Sequence, residues 1–441
     1  MKNQGNKQQL LTGRNEIMLN EKQKEFFEKA MNGKNLFITG AAGVGKSYLI
    51  NEIVKEKEKM GKNVILCATT GLAARNIDGF TIHHQFHVDP KSLKISEANK
   101  KKNKEWLNET DLIIIDEVSM MSFTLFNTIG SQIKTYNPEC QVIVVGDFFQ
   151  LPPVIIDNEV DVARRRGYSV SKEHFHCFHS KYWKIFDFKT CVLTEAMRQT
   201  DQAFSTALFN LSRGTLTTED KNLLRKVQSN SVDNDSITIT CLKGKANDIN
   251  WENLKSLSGK TAVFEAKTWG KYDEDIEKKI FLKVGTKVML TVNSSEYCNG
   301  DLGYVSEIDE ESVDVKLLSG RTVSVEPFRF RSLIFEDGKT KTIGWVEQLP
   351  LKLAWAINVH KCQGQTFDKV RFLYDKGFPS HPEGNLMLLY VGMSRAKELN
   401  NLYVRFESAL PEFNSQKIVD FYNGNYETYY KKTDQPLGYG F

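Results

Sequence analysis

The 441-residue sequence predicts an α/β protein built on parallel sheets, and three observations carry that prediction. Short apolar strands alternate with helical stretches through the first half, and a glycine-rich loop joins the first of those strands to a helix. After about residue 190 a second strand and helix series begins, interrupted by short alternating segments of antiparallel character. The length exceeds what one ordinary hydrophobic core holds, so two large units with small insertions are expected.

Residues 1–18 are polar and read as a flexible arm. LNEKQKEFFEKAM then carries apolar residues at helical spacing, NLFITG reads as a buried strand, and SYLINEIVKEKEKM as the helix after the loop. NVILCAT and GLAARNI repeat the strand and helix pattern, and DLIIIDE and QVIVVGD are two more apolar strands ending in acidic residues. Parallel strands of this kind place ligands at their carboxyl ends. A first domain over 19–190 is expected, with a small lysine-rich insertion at about 84–110 that contains KISEANKKKNKEW. The second domain, 191–441, holds ITITCL and VRFLYD as strands and ALFNLSRG as a helix end. VGTKVML, NGDLGYVSEI, SVDVKLL and RTVSVEPF, within about 284–347, have the turn-punctuated alternation of a small inserted antiparallel β-barrel.

With 40% hydrophobic and 26% charged residues the composition is globular, and no apolar run reaches the ~20 residues of a bilayer crossing. The opening MKNQGNKQQLLTGRNEIM has no apolar core of a secretory signal, and seven cysteines without a CxxC pair suit reduced thiols, so a cytoplasmic location is expected. A net charge of +4 is too small by itself to require a polyanionic partner.

ITGAAGVGKSYLI carries the chemistry. Gly40, Gly45, Lys46 and Ser47 satisfy GxxxxGK[ST] between a strand and a helix, so Gly40, Ala41, Ala42, Gly43, Val44, Gly45, Lys46 and Ser47 are candidate phosphate-cradling residues for ATP. Lys46 is expected on the β and γ phosphates and the Ser47 hydroxyl on Mg2+. Asp116, closing an apolar strand, is the second candidate ligand of that Mg2+; Glu117 is the candidate base for the attacking water. Gln150 in GDFFQLPPV offers a neutral amide to the γ phosphate.

These segments, together with TTGLAARNIDGFTIHHQF, LTEAMRQ, VHKCQGQTF and LLYVGMSRA, occur in the order of the helicase motifs. The sequence from about residue 19 to 405 resembles the Pif1-type helicases and their relatives RecD and Dda, in the 5′-to-3′ branch of superfamily 1. The resemblance implies two RecA-like domains with ATP between them and translocation on single-stranded DNA with unwinding of duplex or fork DNA. It implies roles for Arg198 and Arg395 on the γ phosphate from across the cleft, for Gln23 on the adenine edge and for Gly364 near the γ phosphate. Thr69, Thr70, Gly71, His360 and Lys361 are expected on the DNA backbone, and Phe80, His83 and His84 belong to an aromatic-rich stretch whose rings suit base stacking, His83 lying in the part that matches the family. Val44, His84, Cys362, Gly392 and Met393 depart from the family's usual residues without removing a charged catalytic group. A monomer recruited by single-strand-binding or replication proteins is the expected partner state, with no membrane. A nucleotide-dependent switch and an RNA helicase are the alternatives.

HFHCFHS, with His174, His176, Cys177 and His179, lacks the second spaced ligand pair that zinc draws, and is expected to pack. Arg164 to Arg166 read as a solvated loop.

Overall fold

Alternating buried strands and amphipathic helices produce two parallel sheets in the computed structural model. It describes residues 19–424 apart from 42, 91, 154, 156, 166–174, 194–200, 232, 273–275, 337–338, 375–381 and 407–415. The first sheet contains β1 (Leu36–Gly40), β2 (Val64–Ala68), β3 (Phe80–Thr81), β4 (Leu112–Asp116), β5 (Gln141–Val145) and β6 (Lys189–Leu193). Their order is β3-β2-β4-β5-β1-β6, and every pairing is parallel. Each position of β1 and β5 is buried, as a sheet covered on both faces requires. Helix α1 (Glu21–Met31) turns Phe26 and Ala30 inward, and α2 (Lys46–Lys59) turns Leu49, Ile50 and Ile53 inward onto Leu36 and Ile38 of β1. A third helix, α3 (Gly71–Asn76), follows β2.

The lysine-rich stretch folds as the helix Glu97–Asn108, whose buried face carries Asn103, Trp106 and Leu107. Trp106 stands edge-on to Phe86 at 5.0 Å, and Asn103 donates its amide to the Phe86 carbonyl at 2.7 Å. Lys101, Lys102 and Lys104 face solvent, so the charge run is the outer face of a packed lobe.

In the second sheet Ile237–Thr240 lies between Ala356–Asn358 and Val370–Tyr374, with Leu402–Phe406 outermost, again all parallel. Between the first two of these in sequence, antiparallel pairing runs from Ala262 to Leu353. A five-stranded antiparallel sheet forms its core around Val288, Val305, Val313, Val315 and Val325. A long hairpin, Phe328–Glu336 with Lys339–Gln348, pairs with Lys267–Gly270 and reaches the first domain, where Arg75 lies 5.6 Å from the Phe330 ring.

The chain then returns. Helix Gln416–Tyr422 inserts two aromatic side chains beneath the first sheet. Phe421 stacks on Phe178 at 4.2 Å and meets Phe148 and Trp183 edge-on at 5.1 and 5.6 Å. Tyr422 stacks on Phe149 at 5.1 Å, with its hydroxyl 2.7 Å from Thr39 Oγ1, one residue before the glycine loop. Residues late in the chain are therefore part of the first domain's core. Replacing Phe421 by Ala is expected to lower stability by ~3 kcal/mol, the ordinary cost of emptying a buried ring site. Denaturant unfolding followed by tryptophan fluorescence measures it, and an unchanged midpoint would mean the ring is not seated there.

Candidate nucleotide and nucleic-acid site

β1 delivers Gly40 at its carboxyl end with φ +145°, and a Cβ there would stand 2.3 Å from the Leu193 carbonyl oxygen, so only glycine fits. Gly45 takes the left-handed conformation as N-cap of α2, turning the chain so that Lys46 and Ser47 open the helix. Amide groups at that helix start face outward and favour an anion. Lys46 Nζ donates to the carbonyls of Gly40 and Ala41 at 2.7 and 3.0 Å, so the loop holds its own ammonium where phosphate oxygens fit. Burial lowers the Lys46 pKa, against the opposing carboxylates of Asp147, Glu117 and Asp116. Gly43 and Val44 complete the turn, Val44 buried, and Ser47 is exposed; Ala42 lies outside the described residues.

Gln23 is fully buried rather than solvated on its helix. Its Oε1 accepts the Asn20 N–H at 3.1 Å in a capping box, and its Nε2 is buried with no hydrogen-bond partner. A buried donor left open in this way fits an acceptor on a bound base.

Three carboxyls gather at the ends of β4 and β5. Asp116 accepts the backbone N–H of Glu117 at 2.8 Å, and Glu117 itself is held at φ 51°, a strained position for a non-glycine residue. Burial, then the neighbouring Asp116, push the Glu117 carboxyl up to about 7. Burial also raises Asp116 and Asp147, with Lys46 opposing both. A carboxylate and an exposed serine hydroxyl are hard oxygen donors of the kind that suits Mg2+, whose other positions would go to phosphate and water. Asp116 and Ser47 have the donor atoms for that role, the Asp116 carboxyl taking the backbone N–H of Glu117 through Oδ1.

Gln150 is buried 3.5 Å from Asp147 Oδ2 through its Nε2. Its Oε1, and Glu117 Oε2, both face Gln363 Nε2 from the second domain, at 3.5 and 3.1 Å. Arg395, 1% exposed, is also on that side. Its guanidinium donates to the carbonyls of Val391, Cys362 and Gln365 at 2.8, 3.3 and 2.9 Å and to Ser394 Oγ at 2.7 Å. Its charge nevertheless reaches Glu117 and Lys46. Arg198 lies outside the described residues. Gly364 is exposed at φ 77° with open space around its Cα.

Of the candidate nucleic-acid residues, Thr69 Oγ1 donates to the Glu117 carbonyl at 3.3 Å, and Thr70 Oγ1 caps α3 through the Ala73 N–H at 3.1 Å, with Gly71 opening that helix. Phe80 and His84 line a cavity of about 190 Å³ with Gly71, Tyr272 and Arg331. His83 is half-buried, and burial lowers its pKa. On the second sheet, burial likewise lowers His360, whose Nδ1 is buried and unpartnered. Lys361 lines a groove of about 510 Å³ with Lys243, Lys278, Lys352, Trp251 and Phe281. Burial and then Lys361 lower Lys352 to about 8.

Gln363, Asp147 and the groove lysines Lys243, Lys278 and Lys352 were not among the candidates read from the sequence. Gln363 and Asp147 lie inside quoted motifs, whereas Lys243, Lys278 and Lys352 come together only through the fold. His176, Cys177 and His179 are buried, His176 stacked on Phe178 at 5.1 Å and Cys177 Sγ directed at the Val118 carbonyl; His174 and Arg166 lie outside the described residues. Arg164 and Arg165 are exposed.

A family profile described as PIF1-like helicase matches residues 18–222, and one described as UvrD-like helicase C-terminal domain matches 353–403. The ATP-dependent DNA helicase Pif1 of Campylobacter jejuni is 31% identical over 418 residues, covering 86% of this chain and 90% of that protein. The human ATP-dependent DNA helicase PIF1 is 30% identical over 431 residues, covering 92% of this chain and 63% of the human protein. Bacteroides Pif1 in complex with ADP-AlF4 superposes with a TM-score of 0.78 at 29% identity, covering 94% of this chain and 99% of that one. The same helicase bound to single-stranded DNA gives 0.65 at 30% identity and the same coverage. Among the described residues no helix is long and apolar enough to cross a membrane. Two parallel sheets meeting at a phosphate loop, matched along nearly the whole chain by these relatives, make this chain a member of the PIF1-like helicase family.

Proposed function

We propose that this chain is an ATP-dependent DNA helicase that steps along single-stranded DNA from 5′ to 3′ and separates duplexes ahead of it, in replication, recombination or repair. The observation that carries the reading is the seam itself. Gln363 of the second domain bonds Glu117 of the first at 3.1 Å, beside Lys46 of the phosphate loop. One nucleotide at that seam touches both domains.

Lys46 exchanges the loop carbonyls for β and γ phosphate oxygens, and α2 adds its amide dipole. Asp116 and Ser47 would hold Mg2+, which when bound would screen charge on the phosphates. Glu117 accepts a proton from the attacking water, Gln150 bonds the γ phosphate, and Gln23 offers its open Nε2 to the adenine edge. Arg395 stabilises charge on the γ phosphate once it leaves the carbonyls that now hold it, with Arg198 as the second cation and Gly364 allowing close approach. Closure around ATP, and reopening after hydrolysis, change the spacing of the two domains.

Each domain brings its own grip on the strand. Thr69, Thr70 and Gly71 present hydroxyls and helix-start amides to phosphates, with Phe80, His83 and His84 beside them for base stacking. His360 and Lys361 act from the second domain, where the lysine and aromatic groove adds charge and stacking surface. Thr69 touches Glu117 and Lys361 is two residues from Gln363, so each grip is wired to the seam. The reading extends to a monomer acting on cytoplasmic DNA, recruited by single-strand-binding or replication proteins.

Lys46→Ala is expected to abolish ATP hydrolysis in a steady-state assay; rates near wild type would mean the loop has been misread. On duplexes with one tail, unwinding is expected with a 5′ tail and not a 3′ tail, and the opposite preference overturns the polarity. An RNA substrate stimulating hydrolysis as DNA does would favour an RNA helicase. Replacing Lys352 and Lys361 by Ala is expected to weaken single-stranded DNA binding uniformly across sequences. The slope of log affinity against log salt should shrink by about 0.7 per lysine removed, measured by fluorescence anisotropy. An unchanged slope would take the groove off the DNA path.

A further inference from the structure

Gln363 bridges the seam but takes no part in the steps above. Gln363 is 8% exposed, and its Nε2 serves Glu117 Oε2 and Gln150 Oε1 together. Both of those oxygens accept, so chemistry fixes which end of the amide faces them. The other end, Oε1, is buried and has no hydrogen-bond partner. Buried amide carbonyls left open are rare, because the lost hydration is not recovered. Oε1 is bonded to the same carbon as Nε2, so it stands within one water of the Glu117 carboxylate.

We propose that Gln363 is a positioning residue for the attacking water, holding Glu117 and Gln150 through its Nε2 and accepting one O–H of that water at its Oε1. The inference rests on the ATP-hydrolysis reading of the seam. The water is then held at two points, with its other O–H directed to Glu117 and a lone pair free for the γ phosphorus. Its oxygen forms the new bond to phosphorus as the bond from phosphorus to the β-bridging oxygen breaks. That electron pair leaves on ADP, and the water proton passes to Glu117. Gln363 neither gains nor loses a proton. Because it directly follows the turn Val359–Cys362 that carries His360 and Lys361, a strand gripped by that turn also sets the amide. Hydrolysis thereby depends on DNA being present.

The test measures Gln363→Ala and Gln363→Glu in the full chain with saturating single-stranded DNA. Both are expected to lower kcat by about 100-fold, the range of a well-placed proton-transfer partner, with KM for ATP and affinity for ADP within about twofold of wild type. Affinity for ADP with fluoroaluminate, which reproduces the state in which water is attacking, should fall in step with kcat. The glutamate variant is near-isosteric, which guards against loss of fold, and it loses the donor while setting a second carboxylate against Glu117. Wild-type kcat in either variant overturns the proposal. So does equal loss of ADP and ADP-fluoroaluminate binding, which would mark a packing role alone. Hydrolysis surviving Lys46→Ala would instead bring down the ATP reading, and the two failures are told apart by which variant shows them.

Discussion

Negative charge at the ends of two buried strands is the constraint around which the rest is arranged. Asp116, Glu117 and Asp147 stand close together, Asp147 buried and the other two half-buried, faced within their own domain by Lys46, whose desolvation also works against its charge. Bringing a triphosphate into that setting adds more negative charge, which Mg2+ and one ammonium do not fully offset. Further cations have to come from the facing domain. One such cation, Arg395, is buried beside the seam and held by main-chain carbonyls, while its charge still opposes that of Lys46.

That arrangement makes the seam responsive. Carbonyl oxygens are neutral partners for a guanidinium, and phosphate is a stronger one, so in the proposed function nucleotide would compete for both Lys46 and Arg395. Releasing Arg395 frees the carbonyls of Cys362 and Gln365, which flank Gln363 and lie beside the turn bearing His360 and Lys361. On the opposite side, Tyr422 bonds Thr39 at the base of the phosphate loop and stacks on Phe149 in the strand-end segment that holds Gln150. The chain thus crosses between domains and returns.

Much of this was legible in residue order. The glycine loop and the acidic strand ends are local patterns, since phosphate and magnesium chemistry demands neighbouring residues on one strand-to-helix turn, and the structure has Gly40, Gly45 and Asp116 at such junctions. Contacts made by distant residues were not legible. Gln23 looked like a solvated helix residue because its burial depends on how α1 packs, which no helical spacing reveals. Phe421 and Tyr422 lie in a short aromatic helix whose partners are more than 230 residues earlier. The antiparallel insert extends from Ala262 because Ala262–Glu265 pairs with Lys279–Leu282, and Lys267–Gly270 with the far later Lys339–Gln348. The lysines of the second-sheet groove are scattered through 243–361 and carry no motif of their own.

The central claim is that ATP is split by groups from both domains at once. A structure of the chain with single-stranded DNA and ADP-fluoroaluminate measures it directly. The account predicts that the Arg395 guanidinium leaves the carbonyls of Cys362 and Gln365 and donates to the fluoroaluminate. Arg395 still held by those carbonyls, with no second-domain cation within hydrogen-bonding distance of the fluoroaluminate, would contradict it.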